Sequence, residues 1–418
     1  MKLKKFALLG VTGLAFACLV ACGGQGGTGT TKAEGKTIKL EYSGTASDKE
    51  FNLTLFEDFK ADRKAKGDKN TYEITYVEHG PDKVDSEVLD WIVGPDVFEF
   101  ASDKITGLYQ KGALAKITGA NATFVEEKNS ELGVSLAKFN DLIYAYPYTG
   151  DNTYYLQYDK SVLTADDVSS FENLLAKAGE LGKKVGYELE TAFWGAGALF
   201  TYGADYKVTY TEDGDLNSIT ADFDTEKGLK AAKAIYKIMQ DPSWQNAMEA
   251  PTPTNNLIAC VAGTWDIASY KEALGDNYAC APMPTITVDG DTKHLGAFLG
   301  GKLFGVNPQR SQGNTDRLVA AHELAKFLSD KACQLKRFDH AGVAPCNKEA
   351  AAEQRVLASE NVKTLVQQAE FAHAQTAVPA GIWTAPTTLV AGIKDGSITL
   401  EGLQAAVETL NESIKASN

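Results

Sequence analysis

Short runs of apolar or alternating residues recur along the first hundred positions, separated by stretches with an apolar residue every three or four positions. Residues 37–42 (TIKLEY), 72–77 (YEITYV) and 96–100 (DVFEF) are typical of strands. The capping sequence SDKE opens a helix predicted to end at about residue 64, and residues 84–93 predict a shorter helix. The order strand, helix, strand, helix, strand predicts an α/β sheet with parallel members.

The same alternation of helix and strand continues toward the C-terminus. Helices are predicted at 169–181, 224–239, 311–329 and 400–415, and residues 206–210 and 218–223 predict a hairpin. In parallel α/β sheets, ligands bind beyond the carboxyl ends of the strands. The residues that follow Tyr42 and Phe100 are therefore candidates for a binding site.

Residues 142–159 (LIYAYPYTGDNTYYLQYD) hold two aromatic strand-like runs around a break at Pro147 and Gly150. So short a break is typical of a hairpin, or of a chain that passes directly from one sheet into another. A second apolar run with a break in its middle, residues 297–306 (AFLGGKLFGV), occurs much later in the chain. This pair of broken runs favours the passage between sheets, which places Asp151 at the floor of a cleft.

The chain has 418 residues, more than a single hydrophobic core usually supports, so two domains are expected. With a third crossing, the broken runs predict two discontinuous α/β lobes around a ligand cleft, joined by a hinge of several segments. The N-terminal lobe is predicted to contain residues 37–149 and 303–341, and the C-terminal lobe residues 152–298 and 346–418. The hinge is predicted near residues 147–152, 299–302 and 342–345.

The first 21 residues have the basic start and short apolar run of an export signal. They end in Leu-Val-Ala before Cys22, which resembles the lipobox of bacterial lipoproteins, where this cysteine carries lipid and becomes the mature N-terminus. Residues 22–36 are rich in Gly and Thr and predict a flexible tether. The sequence thus predicts lipid anchoring at the extracellular face of the bacterial cytoplasmic membrane; an ordinary signal with an incidental cysteine is the alternative.

Charge and motif content exclude several classes of function. The formal charge is −14, and it becomes −17 when the signal lysines Lys2, Lys4 and Lys5 are removed. No run of Lys or Arg offsets this charge, so nucleic acid is not expected as a partner. The five histidines lack metal-ligand spacing, and no phosphate loop or nucleophile elbow occurs, so neither a metal nor a cofactor is expected.

Four cysteines remain once the signal is removed and Cys22 carries lipid. An even number outside the membrane permits two disulfides, and proximity in sequence favours pairing the first with the second and the third with the fourth. Four buried free thiols are the alternative. No pair has the CxxC spacing of a redox or zinc site. The four residues are Cys260, Cys280, Cys333 and Cys346.

Short motifs along the whole mature chain occur in the order found in one known family. They are VEH (77–79), PDK (81–83), GPD (94–96), AYP (145–147), YDK (158–160), GTW (263–265), PMP (282–284), VNP (306–308), VPAGIW (378–383) and TLEGLQAAVETL (399–410). Taken together they resemble the maltose/maltodextrin-binding proteins of ABC importers. The resemblance implies a two-lobed solute-binding fold, delivery of the ligand to a membrane permease, and no catalysis.

The resemblance also implies a set of carbohydrate-binding residues at the positions that match the family's motifs. Lys104 stands where the family has an arginine, so the bidentate guanidinium is absent while the charge pair with Asp103 remains. Phe100 replaces a tryptophan that stacks on sugar, and Asp151 replaces a glutamate that accepts hydroxyl hydrogen bonds. The complete implied set is Asp48, Lys49, Phe100, Asp103, Lys104, Asp151, Glu190, Phe193, Trp194, Trp265 and Trp383.

This mixture of rings and carboxylates suits a sugar. Aromatic faces cover its C–H faces, and carboxylates accept hydrogen bonds from its hydroxyls. The prediction is a monomeric binding protein that takes malto-oligosaccharides to an ABC permease. The alternatives are a different oligosaccharide, a polyamine whose cations pair with the acids, an adhesive lipoprotein, and a glycoside hydrolase using Asp103 and Asp151.

Overall fold

The computed structural model of the protein describes residues 35–211, 214–252 and 254–417. The predicted signal, the predicted lipidation site Cys22 and the tether up to residue 34 lie outside the described residues. Among the residues described, no helix combines the length and the apolar character needed to cross a membrane.

Helices and short strands alternate along the described chain. The strands are β1 (Thr37–Gly44), β2 (Thr71–Glu78), β3 (Val97–Ala101), β4 (Lys138–Phe139), β5 (Leu142–Ile143), β6 (Tyr146–Asn152), β7 (Tyr154–Asp159), β8 (Lys184–Tyr187), β9 (Tyr206–Tyr210), β10 (Leu216–Ala221), β11 (Trp244–Gln245), β12 (Leu257–Gly263), β13 (Tyr278–Ala281), β14 (Thr285–Val288), β15 (Asp291–His294), β16 (Phe298–Val306) and β17 (His373–Ala374). The α-helices are α1 (Lys49–Ala65), α2 (Val84–Glu87), α3 (Ile105–Gln110), α4 (Gly119–Lys128), α5 (Glu131–Leu136), α6 (Phe171–Glu180), α7 (Ala192–Leu199), α8 (Glu226–Gln240), α9 (Ile267–Leu274), α10 (Thr315–Leu328), α11 (Lys331–Ala341), α12 (Lys348–Ala351), α13 (Gln354–Ala358), α14 (Glu360–Ala369), α15 (Ala385–Asp395) and α16 (Leu403–Lys415).

The first sheet has the strand order β17-β16-β3-β1-β2, with β6 also paired to β16. β1 runs parallel to both β2 and β3, as the sequence pattern predicts, and Tyr42 lies opposite Tyr76 on one side and Val97 on the other. β16 runs antiparallel to β3 and β6. The residues that follow β1 and β3 therefore emerge at the same edge of this sheet.

The second sheet has the order β11-β8-β12-β7-β13. β8 and β12 are parallel, and Val261 lies opposite Tyr187. β7 runs antiparallel to both β12 and β13. The segments that follow β8 and β12 thus share one edge, in the same way as those that follow β1 and β3 in the first sheet.

The chain first passes between the sheets at Thr153. β6 belongs to the first sheet and β7 to the second, so residues 142–159 cross between sheets and do not fold back as a hairpin. Two hydrogen bonds fix the crossing: Thr153 donates its N–H to the Asp151 carbonyl at 2.7 Å, and its own carbonyl accepts from the Thr264 N–H at 3.1 Å.

β16 forms the second crossing, because its first residue packs in one core and its later residues in the other. Phe298 lies in the core of the second sheet, and Phe304 lies in the core of the first. Between them, a Cβ on Gly300 would lie 2.5 Å from the Gln375 Oε1, and a Cβ on Gly301 would lie 2.3 Å from the Thr149 carbonyl oxygen. Only glycine fits at these two positions, which explains the break in the apolar run.

Each sheet is covered by helices and encloses its own hydrophobic core. Among the largest buried side chains, Phe59 and Phe98 lie in the first core, and Phe171 and Tyr187 in the second. Two cores joined by crossing strands confirm the predicted two-lobed α/β fold. The boundaries proposed for the lobes and the hinge stay a prediction.

Several predicted helices differ at their ends from those observed, and two of them illustrate the cause. The helix predicted at 84–93 ends at Glu87, because the Asp90 carboxylate accepts the Ile92 N–H at 2.9 Å and turns the chain before Gly94. The helix predicted to start at residue 224 begins two residues later, with Thr225 at the N-cap. Both errors concern helix ends, where local side-chain bonds compete with helical ones.

The predicted disulfides are wrong, because all four described cysteines are free. Cys260 and Cys280 both lie opposite Gln157, on the two strands that flank β7. They are thus two strand spacings apart, about 10 Å, which exceeds the roughly 7 Å limit for bridged Cα atoms. Cys333 lies in the core of the first lobe, and Cys346 lies after the third crossing, beside Gly150.

Candidate functional site

Six aromatic rings of the C-terminal lobe form a continuous cluster at the edge where β8 and β12 end. Phe193 stacks on Phe298, with 5.5 Å between centroids and 13° between planes. Trp194 stacks on Tyr154 at 5.6 Å. This aromatic cluster consists of Tyr154, Phe193, Trp194, Trp265, Phe298 and Trp383.

Trp265 is the most exposed ring of the aromatic cluster, with 38% of its surface accessible. It stands on a 3-10 turn that directly follows β12. A Cβ on Gly263 would lie 2.2 Å from the Trp265 ring, so glycine is required for the ring to fold back over the strand end. The result is a tryptophan ring that packs over the end of β12 and keeps one face accessible for a ligand.

The other predicted rings of this lobe contribute in two ways. Phe193 and Trp383 are half-buried and border the exposed ring. Trp194 is buried and packs beneath it, with its ring centroid 6.2 Å from that of Trp265. The aromatic cluster thus has a partly exposed upper layer and a buried supporting layer.

The N-terminal lobe presents charges at the corresponding edge of its own sheet. Lys49, at the start of α1, pairs with Glu78 at 2.9 Å and lies 5.9 Å from the centre of the Tyr76 ring. The Asp48 carboxylate lies 3.9 Å from the His340 ring nitrogen. Both predicted residues are half-buried and close to the end of β1.

Asp103 and Lys104 follow β3 at the same edge. The Asp103 side chain is only 5% exposed, with Lys104 Nζ at 3.5 Å, and it accepts a hydrogen bond from Gln375 Nε2 at 3.0 Å. Burial raises the pKa of Asp103 to about 6, against the opposing effect of the Lys104 charge. This carboxylate is therefore ionised at neutral pH and close to its titration range.

Asp151 lies at the first crossing, as predicted, and also bonds the segment between α11 and α12. Its Oδ2 accepts the Ala344 N–H at 2.6 Å, and its carbonyl accepts the Thr264 hydroxyl at 2.5 Å. Burial raises the pKa of Asp151, while the Ala344 N–H acts in the opposite direction. One carboxylate oxygen is thus committed to the hinge, which reduces what remains for a ligand.

Glu190 follows β8, and its carboxylate pairs with Lys394 of α15 at 2.7 Å. Its backbone N–H donates to the Asn246 side chain at 3.1 Å. Glu190 therefore lies at the same sheet edge as Trp265, with its charge already neutralised by a lysine.

The predicted stacking role of Phe100 is wrong. Its ring is 0% exposed and packs in the core of the N-terminal lobe, 5.7 Å from the Phe98 ring. Phe98 and Phe100 are two residues apart on β3, so both side chains point to the same face of the strand, and helices cover that face. The N-terminal lobe therefore contributes charges at this position, and no ring face.

Three further polar residues at the crossings were not predicted. Lys302, on β16, places its ammonium 5.9 Å from the centre of the Trp265 ring. Burial raises the pKa of Asp266 to about 6, although the Lys302 charge opposes this. Gln375 lies just beyond β17. Two of these residues had a feature in the sequence that could have revealed them: Lys302 is a single charge inside an apolar strand, and Asp266 is next to Trp265. Gln375 has no such feature.

Two α/β lobes are joined by crossing strands, and candidate site residues stand at the edge of each sheet where parallel strands end, an arrangement typical of proteins that bind a small ligand between two lobes. The profile of a family described as bacterial extracellular solute-binding proteins matches residues 54–367. The chain belongs to this family, in agreement with the resemblance found in its motifs.

Named relatives sharpen this assignment. The chain is 24% identical to the maltodextrin-binding protein MdxE of Bacillus subtilis over 99% of this chain and 98% of that protein. It is 26% identical to a maltooligosaccharide ABC transporter solute-binding lipoprotein of Streptococcus pneumoniae, over 83% of this chain and 82% of that protein. A structure solved with acarbose matches with a TM-score of 0.77 and 26% identity, covering 91% of this chain and 99% of that one.

Proposed function

We propose that this protein binds malto-oligosaccharides outside the cell and delivers them to an ABC permease. The observation that carries the proposal is the exposed face of Trp265, supported by a buried aromatic layer and bordered by Asp266. The names of the two relatives support the same ligand class and the same transport role.

The two lobes would contribute different chemistry to the bound sugar. The aromatic cluster covers the C–H faces of a glucose ring, and Asp103 accepts hydrogen bonds from its hydroxyls. A ligand that touches both lobes binds the closed form more tightly than the open form, and this difference drives closure. The crossings at Thr153 and at Gly300 and Gly301 provide the short segments about which such closure occurs.

Calorimetric titration of the purified mature chain tests the ligand class. Maltotriose is expected to bind, while a β-linked glucan, a xylo-oligosaccharide and spermidine give no heat. An absence of heat with maltotriose would overturn the proposal. Binding of spermidine alone would instead support a polyamine-binding protein, in which the carboxylates pair with the ligand's cations.

We also propose that the protein binds sugar without cleaving it. A glycosidase needs two carboxyl groups free to act on the glycosidic bond. Here one oxygen of Asp151 is held by the Ala344 N–H, and the Asp103 carboxylate accepts from Gln375. Incubation with maltotetraose is expected to produce no new reducing ends, and their appearance would reject this statement.

We further propose that the protein is anchored to the membrane through lipid on Cys22 and that it is a monomer. The lipoprotein named among the relatives supports the anchor. In a bacterial host, Cys22→Ala is expected to leave the membrane fraction, whereas the unchanged chain remains there. Sedimentation of the mature chain at increasing concentration should give one mass of about 43 kDa, which is the 44.9 kDa of the whole chain less about 110 Da for each signal residue, and a concentration-dependent mass would reject the monomer.

A further inference from the structure

Gln375 is a buried residue that forms hydrogen bonds with both crossing segments and with Asp103. It is 3% exposed, in the segment that follows β17. Its Nε2 donates to the Asp103 carboxylate at 3.0 Å, and its Oε1 accepts from the Asn152 amide at 2.7 Å. Both ends of one carboxamide are thus used, and its orientation is fixed by the two partners together.

The backbone of Gln375 also forms two hydrogen bonds. Its N–H donates to the Leu299 carbonyl at 2.9 Å, and its carbonyl accepts the Ser102 hydroxyl at 2.8 Å. Gly300 leaves the space for this approach, since a Cβ there would lie 2.5 Å from the Gln375 Oε1. Gln375 therefore touches the first crossing through Asn152 and the second through Leu299.

We propose that Gln375 is a positioning residue that holds the Asp103 carboxylate ready for the ligand and ties it to the segments that move when the lobes close. This inference rests on the proposed function in one respect, that Asp103 contacts the sugar. Gln375 itself need not touch the ligand. Its part is to supply an N–H donor that keeps the carboxylate ionised and in one orientation.

The charged and titratable groups around Asp103 stay the same when Gln375 is replaced. They are Lys104 on its own segment, Asp85 of α2 and Tyr206 of β9, and beyond Tyr206 the pair formed by His373 of β17 and Asp205 at 3.5 Å. A change in the pH dependence of binding therefore reports the partner at residue 375.

The decisive variant is Gln375→Glu, which preserves shape but exchanges the donor for a second carboxyl group about 3 Å from Asp103. At pH 7.5 both groups are driven to ionise and repel, so the Kd for maltotriose is expected to rise at least tenfold above that of the unchanged protein. At pH 5.5 the pair shares one proton, which again provides a donor to Asp103. The ratio of the Kd of Gln375→Glu to the Kd of the unchanged protein, both measured at the same pH, should therefore fall toward one as the pH falls.

Two comparison variants make this result specific. Gln375→Leu removes the donor without adding a carboxyl, so its Kd ratio should remain high at both pH values. Gln368→Glu places a carboxyl at another fully buried glutamine, one that accepts the Met283 N–H at 2.8 Å. Its Kd ratio should not change with pH. A ratio for Gln375→Glu that is independent of pH would overturn the inference.

The titration of Asp103 in the sugar-free protein separates this inference from the proposed function. With carboxyl-labelled aspartate, the ¹³C midpoint of Asp103 should move to higher pH in Gln375→Leu, because the ionised form loses a hydrogen bond. An unchanged midpoint would overturn the role of Gln375. If the midpoint moves but the unchanged protein gives no heat with maltotriose, the proposed ligand fails and the positioning role stands.

Discussion

The two lobes follow the same structural rule but differ in their rings, because only the C-terminal lobe adds an aromatic cluster to the charges at its sheet edge. In each lobe, candidate site residues follow the carboxyl ends of parallel strands, β1 and β3 in one and β8 and β12 in the other. The N-terminal lobe offers Asp48, Lys49 and the Asp103–Lys104 pair, whereas the C-terminal lobe offers the aromatic cluster. In the proposed function, the charges of the N-terminal lobe would help to orient the sugar, and the aromatic cluster would supply most of the apolar contact area.

Position relative to the strand explains why Phe100, the one ring predicted for the site in the N-terminal lobe, is buried. A strand covered by helices directs one set of alternating residues into the core, and Phe100 belongs to that set. Trp265, by contrast, lies on a turn beyond its strand and is free to face solvent. Position relative to the strand end thus separates the exposed ring of Trp265 from the core ring of Phe100.

Replacement of Phe100 is expected to have the largest effect, and only on stability. Phe100→Ala should lower the free energy of unfolding by about 3–5 kcal/mol, because a fully buried ring leaves a cavity. Chemical denaturation gives this value. The milder Phe100→Leu should remain folded and bind maltotriose with unchanged Kd, and a weakened Kd there would return Phe100 to the site.

Replacement of Trp265 is expected to have the reverse pattern, at a smaller scale. Trp265→Ala should weaken maltotriose binding by about 1–3 kcal/mol through lost ring contact, with little loss of unfolding free energy. Calorimetry and denaturation together measure both quantities.

A matched tryptophan serves as the control for that experiment. Trp244 is half-buried and donates its indole N–H to the Tyr187 carbonyl at 3.0 Å, so Trp244→Ala should lower stability and leave Kd unchanged. Equal losses of binding and unfolding free energy in Trp265→Ala would make Trp265 a core residue.

The smallest effect is expected at the exposed ion pair of the N-terminal lobe. Lys49 and Glu78 are 41% and 50% exposed, so Lys49→Met should cost at most about 1 kcal/mol in stability and in maltotriose binding. Both losses should shrink at high salt, which screens exposed charges. A loss of affinity larger than that of Trp265→Ala would reverse the proposed division between the lobes. Glu78→Gln is the control for the pair itself.

Periodicity predicted the sheets well because strands are local. The alternation at residues 37–42 and 72–77 lies within the observed β1 and β2, and the break at Gly300 and Gly301 correctly marked a crossing. The same signal cannot tell which face of a strand helices cover, since both faces of a buried strand are apolar. The error at Phe100 has another origin: the resemblance placed its ring on a sugar, whereas its position within β3 turns the ring into the core.

Contacts between distant segments were beyond the sequence. Cys260 and Cys280 are close along the chain, yet β7 inserts between their strands and separates them. Gln375 meets Asp103 because β17 brings it beside the first two crossings, where it also bonds Asn152 and Leu299, and an isolated glutamine carries no pattern that predicts this. Trp265 entered the candidate set through the GTW motif, which is local in sequence, and its role in binding stays a prediction.

Four thiols kept apart have a consequence for how this protein withstands its surroundings. Cys260, Cys333 and Cys346 are buried, and burial raises the pKa of the Cys260 thiol to about 12, so almost none is present as reactive thiolate at neutral pH. The described fold contains no covalent cross-link to be reduced or shuffled. The stability of this described fold should therefore be the same in aerated and in strongly reducing media.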